Sequence, residues 1–291
     1  MTSTSSMLQV VAAPVNEVGA DLGESPLWDA DVGLRWVDAT SRRIFTLTPD
    51  GTVSAVVASE MVTAVELGPG AALLVVTRTG FGLLDPATGR VTNQFRVLDG
   101  DSISMNDAAI DANGACWAGS AVRDGSRRGA LYRFDGTEVT TRLTQLGMSN
   151  GLDWSPASDV LYHVDTTAGT VTAWACDVTS GVLLGAGRQL CWVSGDVGFP
   201  DGLTVDANGD IWLAIWGRGE VWRIDAQTGD TTGIVTVPTR YPTSCVFGGG
   251  SLSTLYITTA AYENTPGGGL VYAADLPVPG RRPRRFGGDL Q

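Results

Sequence analysis

The chain has 291 residues and a net charge of −12, with 31 acidic side chains against 19 basic ones, every one of them arginine. So acidic a surface repels nucleic acid and anionic membranes, and neither is expected as a partner. A hydrophobic content of 43% is enough for a core, but the longest apolar run, residues 71–76, is far short of the ~18 residues of a membrane span.

Residues 1–6 are polar and place no basic residue before the apolar stretch 8–15, a poor match to a secretory signal. The four cysteines (116, 176, 191 and 245) lack CxxC spacing, which predicts reduced, mostly buried thiols and a cytoplasmic location. Residues 8–18 read as a strand that joins the last unit of a ring and closes it.

From residue 23 onward the chain repeats about every 44 residues. Each unit opens on a polar residue at the start of a short strand. These anchors are Glu24 in Gly23-Glu24-Ser25-Pro26-Leu27-Trp28, Thr63 in Val62-Thr63-Ala64, Asn106 in Met105-Asn106-Asp107, Asn150 in Ser149-Asn150-Gly151-Leu152, Asp201 in Pro200-Asp201-Gly202-Leu203, and Thr243 in Pro242-Thr243-Ser244. A second, apolar strand is predicted over 34–37, 73–77, 115–118, 160–164, 211–215 and 255–259. A third is predicted over 44–48, 82–85, 130–134, 171–176, 220–225 and 269–273. Turn formers separate them, and Asp111-Ala112-Asn113-Gly114 recurs as Asp206-Ala207-Asn208-Gly209.

No 12-residue window carries a helical apolar stripe. Three to four strands per unit and six units predict an all-β, six-bladed β-propeller. It forms a single domain over 1–291, with its core at about 8–276 between a polar N-terminus and an Arg/Pro/Gly-rich C-terminal tail. The arginines within 281–285 read as a disordered or surface-pinned end and not as a binding patch.

In a propeller the innermost strand of each blade lines a central channel, so the six anchors should converge on one mouth. All six carry oxygen, and none is His or Cys, which suits a hard divalent cation. Two carboxylates would neutralise the ion and two carboxamides would add neutral oxygens. So few protein ligands leave positions for water and substrate. His163 is the only histidine and lies in an apolar strand, where it reads as a satisfied strand residue. A single histidine and the lack of a Gly-x-Ser-x-Gly elbow argue against a Ser-His-Asp hydrolase. Trp117, Trp154, Trp174, Trp212 and Trp222 read as core, and Trp216, which follows the second strand of the fifth unit, could wall the mouth.

These ordered motifs, together with Phe247-Gly248-Gly249 and Leu255-Tyr256-Ile257-Thr258, resemble those of the gluconolactonase, regucalcin (senescence marker) and luciferin-regenerating-enzyme family over about residues 20–276. The resemblance implies a six-bladed propeller with one metal in its channel. It implies Glu24, Asn150 and Asp201 as metal ligands, Asn106 as a contact to substrate or to a water on the metal, and Asp201 as general base.

The implied reaction is metal-dependent hydrolysis of a small lactone, a sugar-acid lactone or a relative of one. The metal would polarise the carbonyl, with Asp201 or a water on the metal supplying the nucleophile. The implied cofactor is one divalent ion, Ca²⁺ first, with Zn²⁺, Mn²⁺ or Mg²⁺ as alternatives. Ser104 stands where regucalcin-like members carry a sugar-binding Arg, and Asp124 where they carry a substrate-contacting Glu. Both positions are substrate-binding candidates, and both changes bear on the polyol more than on the hydrolysis. Arg123, Arg127 and Arg128 are candidates to replace the lost donor. Two rival readings share the fold: a phosphotriesterase of the diisopropylfluorophosphatase type, with a similar Glu, Asn, Asn and Asp set, and a calcium-binding or scaffold propeller without turnover.

Overall fold

The computed structural model describes residues 7–288 and 290; the polar segment 1–6 lies outside the described residues. The repeating units fold into six antiparallel sheets in which consecutive strands are neighbours, from an innermost strand outward. This is an all-β, six-bladed propeller. The innermost strands are Gly23–Asp29, Val62–Leu67, Ile103–Ile110, Ser149–Trp154, Phe199–Val205 and Pro242–Gly248, for blades one to six. Each packs against the innermost strands of the two neighbouring blades, which makes the wall of the channel.

A propeller blade buries both faces, so its central strands lose the in-out alternation of a half-exposed sheet. Gly33–Asp38, Leu73–Thr77 and Cys116–Val122 are buried at every position. Six apolar clusters result, each spanning one blade–blade interface. Trp117 and Trp154 meet edge-to-face across blades three and four, and Trp212 meets Phe247 across blades five and six. The repeated Asp-Ala-Asn-Gly turns serve this core. Asp111 accepts the Trp117 indole N–H at 2.9 Å, and Asp206 accepts that of Trp212 at 3.0 Å. All four cysteines are free thiols, three of them buried.

Closure of the ring differs from the expected single strand. Leu8–Val11 runs parallel to Thr231–Thr236 as a fifth strand on blade five. Only Ala13–Pro14 joins blade six, antiparallel to Tyr272–Asp275. The segment thus covers two sheet edges instead of one, and ties neighbouring blades together. The third strand of blade six also begins later than residue 269. Gly269 sits at φ +84°, and a Cβ there would lie 2.1 Å from the Ala20 carbonyl oxygen. That position is a bend against the N-terminal segment and not a strand start.

The tail is pinned. It crosses the end of the channel where the innermost strands finish, touching blades six to two in turn. Gly280 N–H donates to Leu252 O at 2.7 Å, and Pro279 O accepts from Ala207 N–H at 2.9 Å. Arg281 pairs with Asp153 at 2.7 Å, and Arg284 reaches Ser158 Oγ at 2.6 Å and Ile110 O at 3.3 Å. Arg285 donates to the carbonyls of Gly68 and Gly70. Phe286 is buried on Phe134. Among the described residues no helix is long and apolar enough to cross a membrane.

Candidate metal and substrate site

Every innermost strand breaks register with its neighbour at its anchor residue. The shifts fall between Glu24 and Leu27, Val62 and Ala64, Met105 and Ala108, Ser149 and Leu152, Pro200 and Leu203, and Pro242 and Ser244. A bulge kinks the strand and re-aims a side chain. Repeated six times around a channel, it builds a ring of polar groups at one mouth.

The hydrogen bonds sort this ring into two kinds. Thr243 Oγ1 donates to Gly23 O at 2.6 Å, and Thr63 Oγ1 to Asn106 O at 2.9 Å. These threonines bridge neighbouring inner strands, and their oxygens are engaged. Asn106 Nδ2 donates to Ser149 O at 2.9 Å, and Asn150 Nδ2 to Thr166 Oγ1 at 3.2 Å. Thr166 Oγ1 in turn donates to Pro200 O at 2.8 Å. Both amide nitrogens are spent on the scaffold, which leaves the amide oxygens as the free donors.

Asp201 adds negative charge to the surroundings of Glu24, and Asp107 adds it to both. Burial first, then Asp201 and Asp107, push the Glu24 carboxyl well above its usual range, while the Ser25 N–H pulls it down. Burial and Asp107 push Asp201 up, against the Asn150 amide and the Gly202 N–H. Asp201 Oδ1 is buried and accepts no hydrogen bond among the described residues. Two crowded carboxylates, an orphaned buried oxygen and two amide oxygens fit a hard divalent cation and leave it coordination positions to spare. No three His, Cys, Asp or Glu side chains cluster as a metal site among the described residues; half of this donor set is carboxamide.

A second ring lies three residues deeper on each inner strand: Leu27, Glu66, Ala109, Asp153, Thr204 and Val246. It lines a cavity of about 120 Å³ that Arg281, Arg282 and Arg284 of the tail close from below, enough for several waters. Sequence reading missed Asp107, Glu66 and Asp153. The fixed offset of three from an anchor would have found Glu66 and Asp153, and Asp107 directly follows an anchor.

The Asp107 carboxyl is pushed up to about 6, mainly by burial, while the Ala108 N–H lowers it. The folded state then holds this proton more tightly than the unfolded chain. Its contribution to stability is present at low pH and is lost as pH rises from about 4 through about 6. Burial moves His163 the opposite way, down to about 4, so the informative quantity is a difference. Wild type should lose up to about 3 kcal/mol relative to Asp107→Asn between about pH 4 and pH 7, in chelator. Urea unfolding across that range measures it, and a constant gap contradicts it.

Of the remaining candidates, Ser104 is buried on the strand of Asn106. Asp124 is exposed, and its contacts lie within its own loop: Arg128 at 2.7 Å and the Ser126 N–H at 3.0 Å. The Ser126 and Arg128 interactions hold its carboxyl below the usual range. Arg127 pairs with Asp165 at 2.7 Å. His163 Nε2 lies 2.7 Å from Ser149 Oγ, both buried. It is a satisfied strand residue that steadies the very residue whose carbonyl holds Asn106.

A family profile described as "SMP-30/Gluconolactonase/LRE-like region" matches residues 22–261. A Bacillus subtilis protein provisionally named a sugar lactone lactonase is 33% identical over 285 residues, covering 93% of this chain and 97% of the relative. A pentonolactonase of Haloferax volcanii is 34% identical over 256 residues, 84% of each chain. Among solved structures, a calcium-binding protein, regucalcin, from Agrobacterium tumefaciens superposes with a TM-score of 0.88 at 26% identity, covering 97% of this chain and 99% of its own.

Proposed function

This chain belongs to the SMP-30/gluconolactonase/LRE-like family, and we propose that it hydrolyses a small lactone at the mouth of its channel with a divalent cation held by Glu24, Asn150 and Asp201. The observation that carries this reading is the uncompensated Glu24–Asp201 pair with its partnerless Asp201 oxygen. Lactonase names among the relatives support the substrate class. The calcium-binding relative supports a hard cation and puts Ca²⁺ first.

A cation bound there supplies Lewis-acid polarisation of the lactone carbonyl and offsets the negative charge that develops on its oxygen. The chain's own groups do the rest. Asp201 takes the proton of the attacking water, a role open to it because its Oδ1 accepts no hydrogen bond among the described residues. As the acyl–oxygen bond breaks, Asp201 returns that proton to the departing ring oxygen, and the product is a hydroxy acid. Asn106, held by Ser149, presents its amide oxygen to a substrate hydroxyl or to the water. The fixed amides need no reorganisation as the reaction proceeds.

The test is acid release from aldonolactones and simpler γ- and δ-lactones by chelator-treated protein, before and after addition of Ca²⁺, Mn²⁺, Mg²⁺ or Zn²⁺. Activity should vanish with the chelator and return with the ion. Thermal stability should rise with the same ion, by about 2.7 kcal/mol at a hundredfold excess over Kd. Folded, ion-stabilised protein that opens no lactone would overturn the reading and favour the phosphotriesterase or the scaffold.

A further inference from the structure

The mouth is chemically lopsided. On the side of blades five and six, three aromatic rings meet. Trp216 ends the second strand of blade five, opposite Phe199 and two pairs from the Asp201 bulge. Tyr241 directly precedes the strand that carries Thr243, and Tyr262 lies in the turn Tyr262–Asn264 after the second strand of blade six. Their ring centroids are 4.8 Å (Trp216–Tyr241), 5.5 Å (Trp216–Tyr262) and 5.0 Å (Tyr241–Tyr262) apart. Tyr241 is the buried floor; Tyr262 is 52% exposed and Trp216 half-buried.

The cluster is held at a conformational cost. Glu263 and Asn264 both adopt left-handed backbone, φ +53° and +52°. Asn tolerates that region, whereas Glu is strained in it. What holds Glu263 there is its carboxylate, which accepts the Tyr241 hydroxyl and lies 3.8 Å from Arg240. The strain therefore fixes Tyr262 beside Trp216, which is preorganisation of an exposed apolar surface.

On the side of blade three, the polar groups already satisfy one another. Arg128 binds Asp124 and Ser102 Oγ, and Arg127 binds Asp165. Among the described residues only Arg123 of that loop has no acidic partner. The strand of Asn106 adds just the short, buried hydroxyl of Ser104. A polyol would have Arg123 as its one uncommitted guanidinium on this side, and any further donor would come from breaking these pairs; holding an apolar substituent against the opposite wall breaks none of them.

Resting on the lactone-hydrolysis reading, we propose that Trp216, Tyr241 and Tyr262 form an apolar subsite for the lactone's side chain. The preferred substrates are then γ- or δ-lactones bearing an alkyl or aryl substituent, not polyhydroxylated aldonolactones. Each methylene added to a short side chain should raise kcat/KM about fourfold until the wall is covered.

Two assays test this. The first compares kcat/KM for an alkyl-substituted lactone, its unsubstituted ring and an aldonolactone, with the cation present. Wild type should favour the alkyl lactone over both. Trp216→Ala should collapse the alkyl-to-unsubstituted ratio at least about tenfold, and Trp216→Phe should keep most of it. A preference for the aldonolactone, or a ratio that Trp216→Ala and Tyr262→Ala leave unchanged, overturns the proposal. The second assay separates it from the hydrolytic reading. Alkyl-substituted and plain lactams of the same ring size resist hydrolysis, and calorimetry reports their binding. Tighter binding of the alkyl lactam that Trp216→Ala abolishes keeps the subsite even if no lactone is opened. Equal binding of both lactams overturns it.

Discussion

Asp201→Asn lowers kcat for lactone hydrolysis by about 10²–10⁴-fold, the usual worth of a general base. It leaves the metal-free protein at least as stable as wild type at neutral pH. The two halves of this prediction come from one fact. Asp201 is nearly isosteric with Asn, so packing at the mouth is kept, and what is lost is a charge and a proton acceptor. In the absence of a cation that charge is a burden: it is buried, sits beside Glu24 and Asp107, and has one oxygen without a partner.

The sign follows from linkage. A carboxyl whose folded pKa is raised destabilises the folded state progressively as pH climbs from its unfolded value through its folded one. At neutral pH the penalty is present, and the substitution removes it. Cation affinity moves the other way, because one of the two neutralising ligands is gone. Stopped assays at saturating Ca²⁺, calorimetric Ca²⁺ titration and chelator-treated melts read the three effects separately. Turnover within about threefold of wild type would remove Asp201 from the role of base. Equal or lower stability of metal-free wild type at pH 4 than at neutral pH, with no gain in the variant, would remove the buried-charge argument.

Much of this architecture is legible in the sequence because the repeat writes it six times. A polar residue at the start of each unit, an apolar run, and a turn at a fixed offset specify strand, strand and turn without any long-range information. The central strands show this: the pattern predicts a strand over 73–77, and Leu73–Thr77 is observed. What escaped depends on partners distant in sequence. Nothing local in Leu8-Gln9-Val10-Val11 says that it lies parallel to blade five, since a strand edge is chosen by whichever edge is left open. The role of Thr63 and Thr243 as bridges was equally hidden: a threonine that donates to the next blade and one that would face an ion read alike until the geometry is known. For the tail the sequence leaves a disordered and a pinned end both open, and the structure shows the pinned one. Arg-Arg-Pro-Arg-Arg has the composition of a loose end, yet the guanidinium groups of Arg281, Arg284 and Arg285 find carbonyl, carboxylate or hydroxyl oxygens at the ends of the inner strands.

That tail carries the second large effect. Phe286→Ala should destabilise the protein by about 3–5 kcal/mol, the cost of removing a fully buried aromatic side chain. Phe286 stacks on Phe134 at 5.8 Å, and Phe134 in turn meets Phe81 at 4.5 Å and Phe95 at 5.0 Å, so the ring completes an aromatic column between blades two and three. Its backbone N–H also donates to Leu67 O at 2.8 Å. The alanine variant has two ways to respond: keep the tail in place over a cavity, or release it. Release costs the Arg281–Asp153 pair as well and leaves the Asp153 carboxylate facing Glu66 across an opened channel. Uncompensated charge of that kind is costly, so release is no cheap escape and the loss stays in the same range. Urea unfolding of Phe286→Ala, beside a chain ended after Gly280, measures both routes. A loss below about 1 kcal/mol in the two proteins alike would mean that the propeller is cooperative without its plug. A loss near the predicted size means that the far end of the channel is sealed by the same folding transition that assembles the mouth, so that stability and the electrostatics of the site share one structural element.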